Sequence, residues 1–183
     1  VRAPAVMTSR HVEPLGTSPQ MRLLRQQAEQ SARHRSPVLI TGEAGSGRET
    51  IAAYVHRLSG RTGDMVIMDH CRLSSSSARQ YLFGDDSADR PRPGVFELAH
   101  DGTLFIPDIQ QLSSSVQDLL NMALESGAYQ AVGGTESKVI SCRIICSALE
   151  DLERLVRNGT VSDQLYYRLN VLPLQVPALR SRP

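Results

Sequence analysis

The stretch that decides the fold is Val38-Leu39-Ile40-Thr41-Gly42-Glu43-Ala44-Gly45-Ser46-Gly47-Arg48-Glu49-Thr50-Ile51. In it an apolar run passes into a glycine-rich turn and then into a helical pattern, which is the layout of a phosphate-binding loop. The glycines let backbone N–H groups turn inward, and the N-terminus of the following helix adds to the field that attracts an anion. The spacing fits G-x-x-x-x-G-K-[ST], with Arg48 at the Lys position and Glu49 at the Ser/Thr position. The residues predicted to hold the phosphates of a nucleotide are Gly42, Glu43, Ala44, Gly45, Ser46, Gly47, Arg48 and Glu49.

The composition is that of a globular chain with little net charge. Its 183 residues are 40% hydrophobic, which is enough for one domain with a substantial core. A net charge of +1 gives no general attraction to nucleic acid or to a membrane surface, and no apolar run approaches the ~20 residues that cross a bilayer. The 3 cysteines form no C-x-x-C pair, and an odd number without a secretory signal predicts reduced thiols in a cytoplasmic protein.

Short apolar runs alternate with helical patterns along the chain. The predicted strands are Val38–Thr41, Met65–Met68, Thr103–Ile106, Arg143–Ser147 and Val171–Leu174, and Pro173 places the last at an edge of the sheet or makes its position a strand end. A hairpin is predicted between Tyr129–Val132 and Lys138–Ile140, around Gly133-Gly134. The alternation predicts an α/β fold in which helices sandwich a mainly parallel, five-stranded sheet. A ligand would then lie at the carboxyl ends of the strands, beside the glycine loop.

The domain boundaries are predicted from composition and periodicity. Residues 1–16 contain Pro4 and Pro14 and show no period, which is typical of a linker, and residues 17–183 are predicted to form the α/β domain. Because the first residue is Val1 and not Met, we expect the chain to be a fragment of a longer protein.

An ordered series of phrases occurs along the chain. They are the loop Gly42–Glu49, Tyr81-Leu82-Phe83-Gly84, Gly94-Val95-Phe96-Glu97-Leu98-Ala99, Gly102-Thr103-Leu104-Phe105, Arg143-Ile144-Ile145, Leu165-Tyr166-Tyr167-Arg168-Leu169-Asn170-Val171 and Leu179-Arg180. Together they resemble the AAA+ domain of NtrC-like bacterial enhancer-binding proteins, which activate sigma-54 RNA polymerase, over about residues 14–183. The resemblance implies a P-loop NTPase core that forms a ring, usually a hexamer, and hydrolyses ATP between subunits to remodel the polymerase. It also implies a helical lid after Arg182-Pro183 and DNA contact through a domain that this sequence does not contain.

The sequence departs from the family pattern at both nucleotide motifs. The loop Lys of the family corresponds to Arg48, whose planar fork keeps the charge but is not interchangeable with a compact ammonium. The family's Asp-Glu pair, which holds the metal and activates water, corresponds to Pro107-Asp108. Shifting the register makes Asp108 the metal-side residue, but Ile109 then stands at the position of the base. Since neither alignment gives both carboxylates, the resemblance implies that Mg²⁺ is not held in the normal way.

Three further positions implied by the resemblance are altered. The sensing Asn after the fourth strand corresponds to Leu149, and the Asn that restrains the catalytic Glu corresponds to His70. His70 stands beside Cys71, which suggests a metal-binding pair, but the sequence offers no further ligands at a suitable spacing. Of two arginines that reach the neighbouring subunit's nucleotide, the first corresponds to Ser162 and the second to Arg168. Asp108 and Arg168 are therefore vestigial catalytic candidates. Their structural alternatives are a helix cap after Pro107 for Asp108 and a salt bridge for Arg168.

The polymerase-contacting phrase Gly-Ala-Phe-Thr-Gly-Ala of the family has no counterpart here. The segment Asp85–Pro93 is several residues shorter and is rich in charge and proline, which predicts an exposed loop. We therefore do not expect contact with sigma-54 RNA polymerase through this loop.

Three hypotheses follow. The first is a transcription regulator whose AAA+ domain binds ATP or ADP weakly or not at all, has lost hydrolysis, and serves in a homo-oligomer, as a dimer or hexameric ring, or in ligand sensing. The second is an unusual active ATPase that uses Arg48, Asp108 and Arg168. The third is a regulator that responds to a cyclic dinucleotide through a basic cluster of Arg33, Arg35, Arg48 and Arg61.

Overall fold

A computed structural model describes residues 5–7, 13–14, 16–70, 73, 77–87, 90–149 and 152–181. Most of the predicted linker, Cys71 and the final Arg182-Pro183 lie outside these residues. The described part of the chain is a mainly parallel sheet with helices on both faces, so the predicted fold class is confirmed.

The strands of the main sheet come from short apolar runs. They are β1 (Ala5–Met7), β2 (Val38–Thr41), β3 (Met65–Ile67), β4 (Thr103–Ile106), β7 (Arg143–Ala148) and β8 (Leu172–Gln175); a separate hairpin contains β5 (Ala128–Gln130) and β6 (Ser137–Val139). The side chains of β2, β3, β4 and β7 are largely buried. The order across the main sheet is β1-β3-β4-β7-β2-β8. All five predicted parallel strands are present. A sixth, β1, lies within the segment predicted as a linker and pairs antiparallel with β3 at one edge.

The opposite edge of the sheet is formed by β8, as Pro173 predicts. Proline has no N–H to donate to a second neighbour, and β8 pairs only with β2 in the main sheet. On the other side of β2 lies β7, which separates β2 from β4 and runs parallel to both of them. The carboxyl ends of β2, β7 and β4 therefore lie side by side at one edge of the sheet.

Seven helices cover the sheet in the described residues. They are α1 (Pro19–Ala32), α2 (Arg48–Leu58), α3 (Ala78–Phe83), α4 (Val95–Leu98), α5 (Ser114–Ser126), α6 (Leu152–Arg157) and α7 (Asp163–Leu169). At the start of α1 the Ser18 hydroxyl accepts a hydrogen bond from the Met21 N–H at 3.4 Å, and Pro19 stands at the first helical position, where its missing N–H costs nothing.

Two apolar clusters fill the space between the sheet and its helices. On one face α1 and α2 pack through Met21, Leu24 and Ile51. On the other face the remaining helices pack on the sheet in a larger cluster. The alternation along β2 shows the sheet between them, because Ile40 belongs to the first cluster and Leu39 to the second. The site is thus carried by strands that are buried on both faces.

Candidate functional site

The glycine loop leaves β2 and runs directly into α2. Gly45 and Gly47 have φ angles of 75° and 91°, in the left-handed region that favours glycine. A Cβ on Gly42 would lie 2.8 Å from Ser46 Oγ and 3.0 Å from the carbonyl oxygen of Val176, so the tight turn has no room for a side chain there. Gly47 is the N-cap residue of α2 and offers no side chain to its first turn. The backbone therefore presents helix N–H groups at the carboxyl edge of the sheet, where an anion would bind.

Arg48 begins α2 and turns back across the end of the sheet. Its Nη1 donates to Asp108 Oδ1 at 2.5 Å and to Ser147 Oγ at 3.4 Å. The side chains of Arg48 and Asp108 are only 11% and 23% exposed. Because β7 lies between β2 and β4, the guanidinium of Arg48 crosses the end of β7 to reach Asp108, just beyond the end of β4. The two altered nucleotide motifs are therefore joined to each other by an ion pair.

Asp108 is held by its backbone as well as by its side chain. It has a left-handed conformation, with φ 46° and ψ 58°, and its N–H donates to Ser147 Oγ at 3.2 Å. It precedes a short 3-10 turn, Ile109–Gln111, but its side chain makes no capping hydrogen bond. Asp108 thus stands at the N-cap position, as its structural alternative predicts, but its carboxylate does not cap the turn, because Arg48 takes it with a charge-assisted hydrogen bond.

The other altered positions lie at the same edge of the sheet. Pro107 follows β4 and has no side-chain oxygen, and Leu149 follows β7 with an apolar side chain. His70 lies beyond the end of β3, and among the described residues its buried Nδ1 has no hydrogen-bond partner. The buried amide of Gln110 is likewise unpartnered, a feature for which the local sequence gives no signal. At the two positions where the family has a carboxylate and an amide, Pro107 and Leu149 thus offer no polar side chain.

Arg168 lies on α7, away from the loop, and its guanidinium is bound within the same chain. Its Nε donates to Asn121 Oδ1 at 2.7 Å, and its Nη2 lies 3.2 Å from Glu125 Oε2. Both partners are on α5, so the salt bridge that was the structural alternative for Arg168 is present.

A second ion pair joins the glycine loop to the segment that follows β8. Arg180 donates from Nη1 and Nη2 to the two carboxylate oxygens of Glu43, at 2.7 and 2.6 Å. The hydrogen bond from Arg180 holds the pKa of Glu43 below its ordinary value. Both side chains are exposed. Sequence reasoning missed this contact because 137 residues separate the partners.

The basic cluster proposed for a cyclic dinucleotide is not assembled as predicted. Arg61 donates to the carbonyl oxygens of Gly102 and Ser141, which precede β4 and β7, and Arg33 caps the C-terminus of α1 before β2 begins. Both therefore lie at the amino-terminal edge of the sheet, whereas Arg48 lies at the carboxyl edge. The four arginines do not share one surface.

The segment from Asp85 to Pro93 is anchored at its ends. Asp85 and Arg92 exchange two backbone hydrogen bonds of 2.9 Å, and the Asp86 N–H donates to the carbonyl oxygen of Val132 at 2.8 Å. Lys138 of β6 contacts Glu97 at 2.9 Å, which links the hairpin to α4. The described part of this loop is thus bound to the hairpin that begins with β5.

The described residues contain no helix that is both long and apolar enough to span a membrane. They also contain no group of three or more His, Cys, Asp and Glu side chains placed to hold a metal ion.

The strand order, the glycine loop and the helix that follows it define a P-loop NTPase fold of the AAA+ type. Residues 15–175 match the family described as the Sigma-54 interaction domain. The chain is 37% identical over 175 residues to the Nif-specific regulatory protein of Azorhizobium caulinodans, covering 92% of this chain and 28% of that protein. It therefore belongs to the family of proteins that carry the sigma-54 interaction domain, and it spans less than a third of this relative's length.

Solved structures give the same result. The crystal structure of NtrX from Brucella abortus in complex with ADP has a TM-score of 0.86 and 33% identity, covering 94% of this chain and 39% of that one. The structure of NtrX in complex with ATP has the same TM-score and identity and covers 94% of this chain and 40% of that one. The resemblance to NtrC-like activators and the AAA+ fold are thus confirmed.

Proposed function

We propose that this chain is the AAA+ domain of a transcription regulator that binds ATP or ADP in its glycine loop but does not hydrolyse ATP. The observation that carries the proposal is the ion pair between Arg48 and Asp108. Asp108 is the one carboxylate that the sequence places in the second nucleotide motif, and its Oδ1 accepts a hydrogen bond from Arg48 at 2.5 Å. A general base must be free to accept a proton from the attacking water, and this carboxylate is already committed.

The other losses act in the same direction. Pro107 supplies no carboxylate, and Leu149 supplies no amide. Arg168 is bound to Asn121 and Glu125 of its own chain. A general base contributes about 10²–10⁴-fold and an arginine finger about 10³–10⁵-fold to the rate. Loss of both would leave hydrolysis below the level of a steady-state assay.

Retained binding is supported by the backbone of the loop and by the relatives. The conformations of Gly42, Gly45 and Gly47 form the anion cradle without help from a side chain. NtrX, which has the same fold at 33% identity, is described in complexes with ADP and with ATP. The proposed role is therefore to sense a nucleotide through the loop and not to consume it.

The proposed partners follow from the surface of the domain. The anchored loop 85–93 lacks the family's polymerase-contacting phrase, so we propose that sigma-54 is not engaged through it. Self-association is supported by Met122 on α5 and Tyr167 on α7, which are 64% and 76% exposed on helices that pack against each other. We propose that the protein acts as a homo-oligomer and contacts DNA through a domain outside residues 1–183.

The test measures nucleotide binding and phosphate release in the full-length protein. Fluorescent ADP should bind saturably, the Arg48→Ala variant should bind it at least about tenfold more weakly, and phosphate release should equal the background. Arg57→Ala is the matched control, because Arg57 lies at the other end of α2 against the ring of Tyr54. Steady ATP turnover that Arg48→Ala abolishes would refute the proposal in favour of an unusual active ATPase.

A further inference from the structure

The residues at the end of β4 do not fit the divalent cation that an AAA+ site normally holds. Mg²⁺ requires oxygen ligands in near-octahedral geometry and in protein sites is usually bound by one or two carboxylates together with the phosphates. Pro107 stands where the metal-side carboxylate would be and offers no side-chain oxygen. Asp108 is engaged by Arg48. In the glycine loop Glu43 is engaged by Arg180, and Glu49 at the start of α2 is exposed, so the described residues of the two motifs leave at most one carboxylate for a cation.

A positive charge, the guanidinium of Arg48, lies beside Asp108 at the end of β4, where the ligands for a divalent cation are missing. The guanidinium of Arg48 bridges the Asp108 carboxylate and the Ser147 hydroxyl, and its side chain is 11% exposed. Both recorded hydrogen bonds use Nη1, and within the described residues no partner is recorded for Nε or Nη2. A guanidinium has five N–H donors in a planar fork that matches phosphate oxygens. Arg48 can therefore hold Asp108 and still donate to a phosphate.

From this arrangement we infer that the loop binds nucleoside diphosphates and triphosphates in their metal-free form, with the guanidinium of Arg48 supplying the positive charge that Mg²⁺ supplies elsewhere in the fold. This inference rests on the proposed nucleotide binding. The phosphate charge is met by the N–H groups of the glycine loop, by the N-terminus of α2 and by Arg48.

The inference fixes the sign of the effect of magnesium. Mg²⁺ complexes free ADP and ATP in solution, so it competes with a protein that takes the metal-free form. Adding Mg²⁺ should weaken the apparent affinity or leave it unchanged, whereas a site that needs the metal should bind more tightly in its presence. The two cases are distinguished by the direction of one shift.

The experiment titrates the full-length protein with fluorescent ADP, once with excess Mg²⁺ and once with excess EDTA. The dissociation constant in EDTA should be equal to or lower than that in Mg²⁺. Binding in EDTA that is at least about tenfold weaker would overturn the inference while leaving the proposed nucleotide binding intact. No saturable binding in either buffer would overturn both.

Two variants place the effect on the ion pair. Asp108→Asn releases the guanidinium from a full negative charge, so ADP in EDTA should bind at least about threefold more tightly. If Asp108 instead held a metal, the same variant would weaken binding in Mg²⁺ and leave binding in EDTA unchanged, which would contradict the inference. Arg48→Gln should weaken binding by at least about tenfold in both buffers, with Arg57→Ala as the control for loss of a surface arginine on the same helix. Far-UV circular dichroism of each variant establishes that it is folded.

Discussion

The ion pair between Arg48 and Asp108 leads to a prediction about stability that needs no ligand. Its two atoms lie 2.5 Å apart, and the side chains are 11% and 23% exposed. A hydrogen bond to a charged group contributes about 1.5–3 kcal/mol, whereas an exposed ion pair contributes about 0–1 kcal/mol. Because Asp108 retains some contact with water, we expect a coupling free energy of about 1–2 kcal/mol between the two side chains.

The coupling is measured in a double-mutant cycle of Arg48→Met, Asp108→Asn and the double variant. Met keeps the apolar stem of Arg48 at a helical position. Asn suits the backbone of Asp108, which has φ 46°, since Asn adopts the left-handed region more readily than Ala does. Urea unfolding followed by circular dichroism gives the free energy of unfolding for each variant. The double variant should lose less free energy of unfolding than the two single variants lose in sum, and the difference is the coupling free energy.

The exposed pair of Glu43 and Arg180 is the control for this cycle. Its coupling should vanish in high salt, because both side chains are in water, while the coupling of Arg48 and Asp108 should persist. A coupling below about 0.5 kcal/mol, which is within the additivity of independent sites, would rule out a stabilising ion pair between Arg48 and Asp108. It would mean that the Asp108 carboxylate is not committed to Arg48 and remains free to act as a base.

Three other predictions concern buried groups. Arg143 is 1% exposed and donates to the carbonyl oxygens of Ser31, Ala32 and Ser36, at and just after the end of α1. Changing it to Met should lower the free energy of unfolding by about 2–4 kcal/mol, because buried acceptors lose their donors. A loss below about 1 kcal/mol in urea unfolding would contradict this role. Burial lowers the pKa of His56, so the native state resists protonation, and the free energy of unfolding should fall as the pH drops below about 6.5. If the free energy of unfolding of a His56→Asn variant changes with pH as that of the wild type does, another group is responsible. Burial raises the pKa of Cys142 and Cys146 to about 12, so neither thiol should react with a thiol reagent at about pH 8 until the chain is unfolded. Peptide mass mapping measures the labelling of each cysteine. Labelling of either one in the native state would disprove this prediction.

Much of the fold could be predicted because its signals are local. The runs that became β2, β4 and β7 are apolar enough for strands buried on both faces, and of the two positions that Pro173 predicts, an edge or a strand end, β8 takes the edge. The strand Ala5–Met7 could not be predicted, because it is held by pairing with β3 and not by a pattern of its own. The short helix Val95–Leu98 was missed for a similar reason, since four residues give too little periodicity.

The site shows the same division between local and long-range signals. The glycine spacing alone predicted a loop with the observed left-handed glycines. The partner of Asp108 could not be read from its neighbours, since Pro107 suggested a helix cap and Arg48 lies 60 residues away. The strand order brings the two together, because only β7 separates β2 from β4. Arg168 likewise has its partners on α5, at a distance of 47 residues for Asn121.

The most direct test of the account is the fate of ATP bound by the full-length protein under single-turnover conditions with Mg²⁺ present. Labelled ATP is mixed with excess protein, and the products are separated over several hours. We expect the bound nucleotide to be recovered as intact ATP, because the Asp108 carboxylate is held by Arg48 and cannot activate water. Stoichiometric conversion of bound ATP to ADP, abolished by Asp108→Asn, would contradict it.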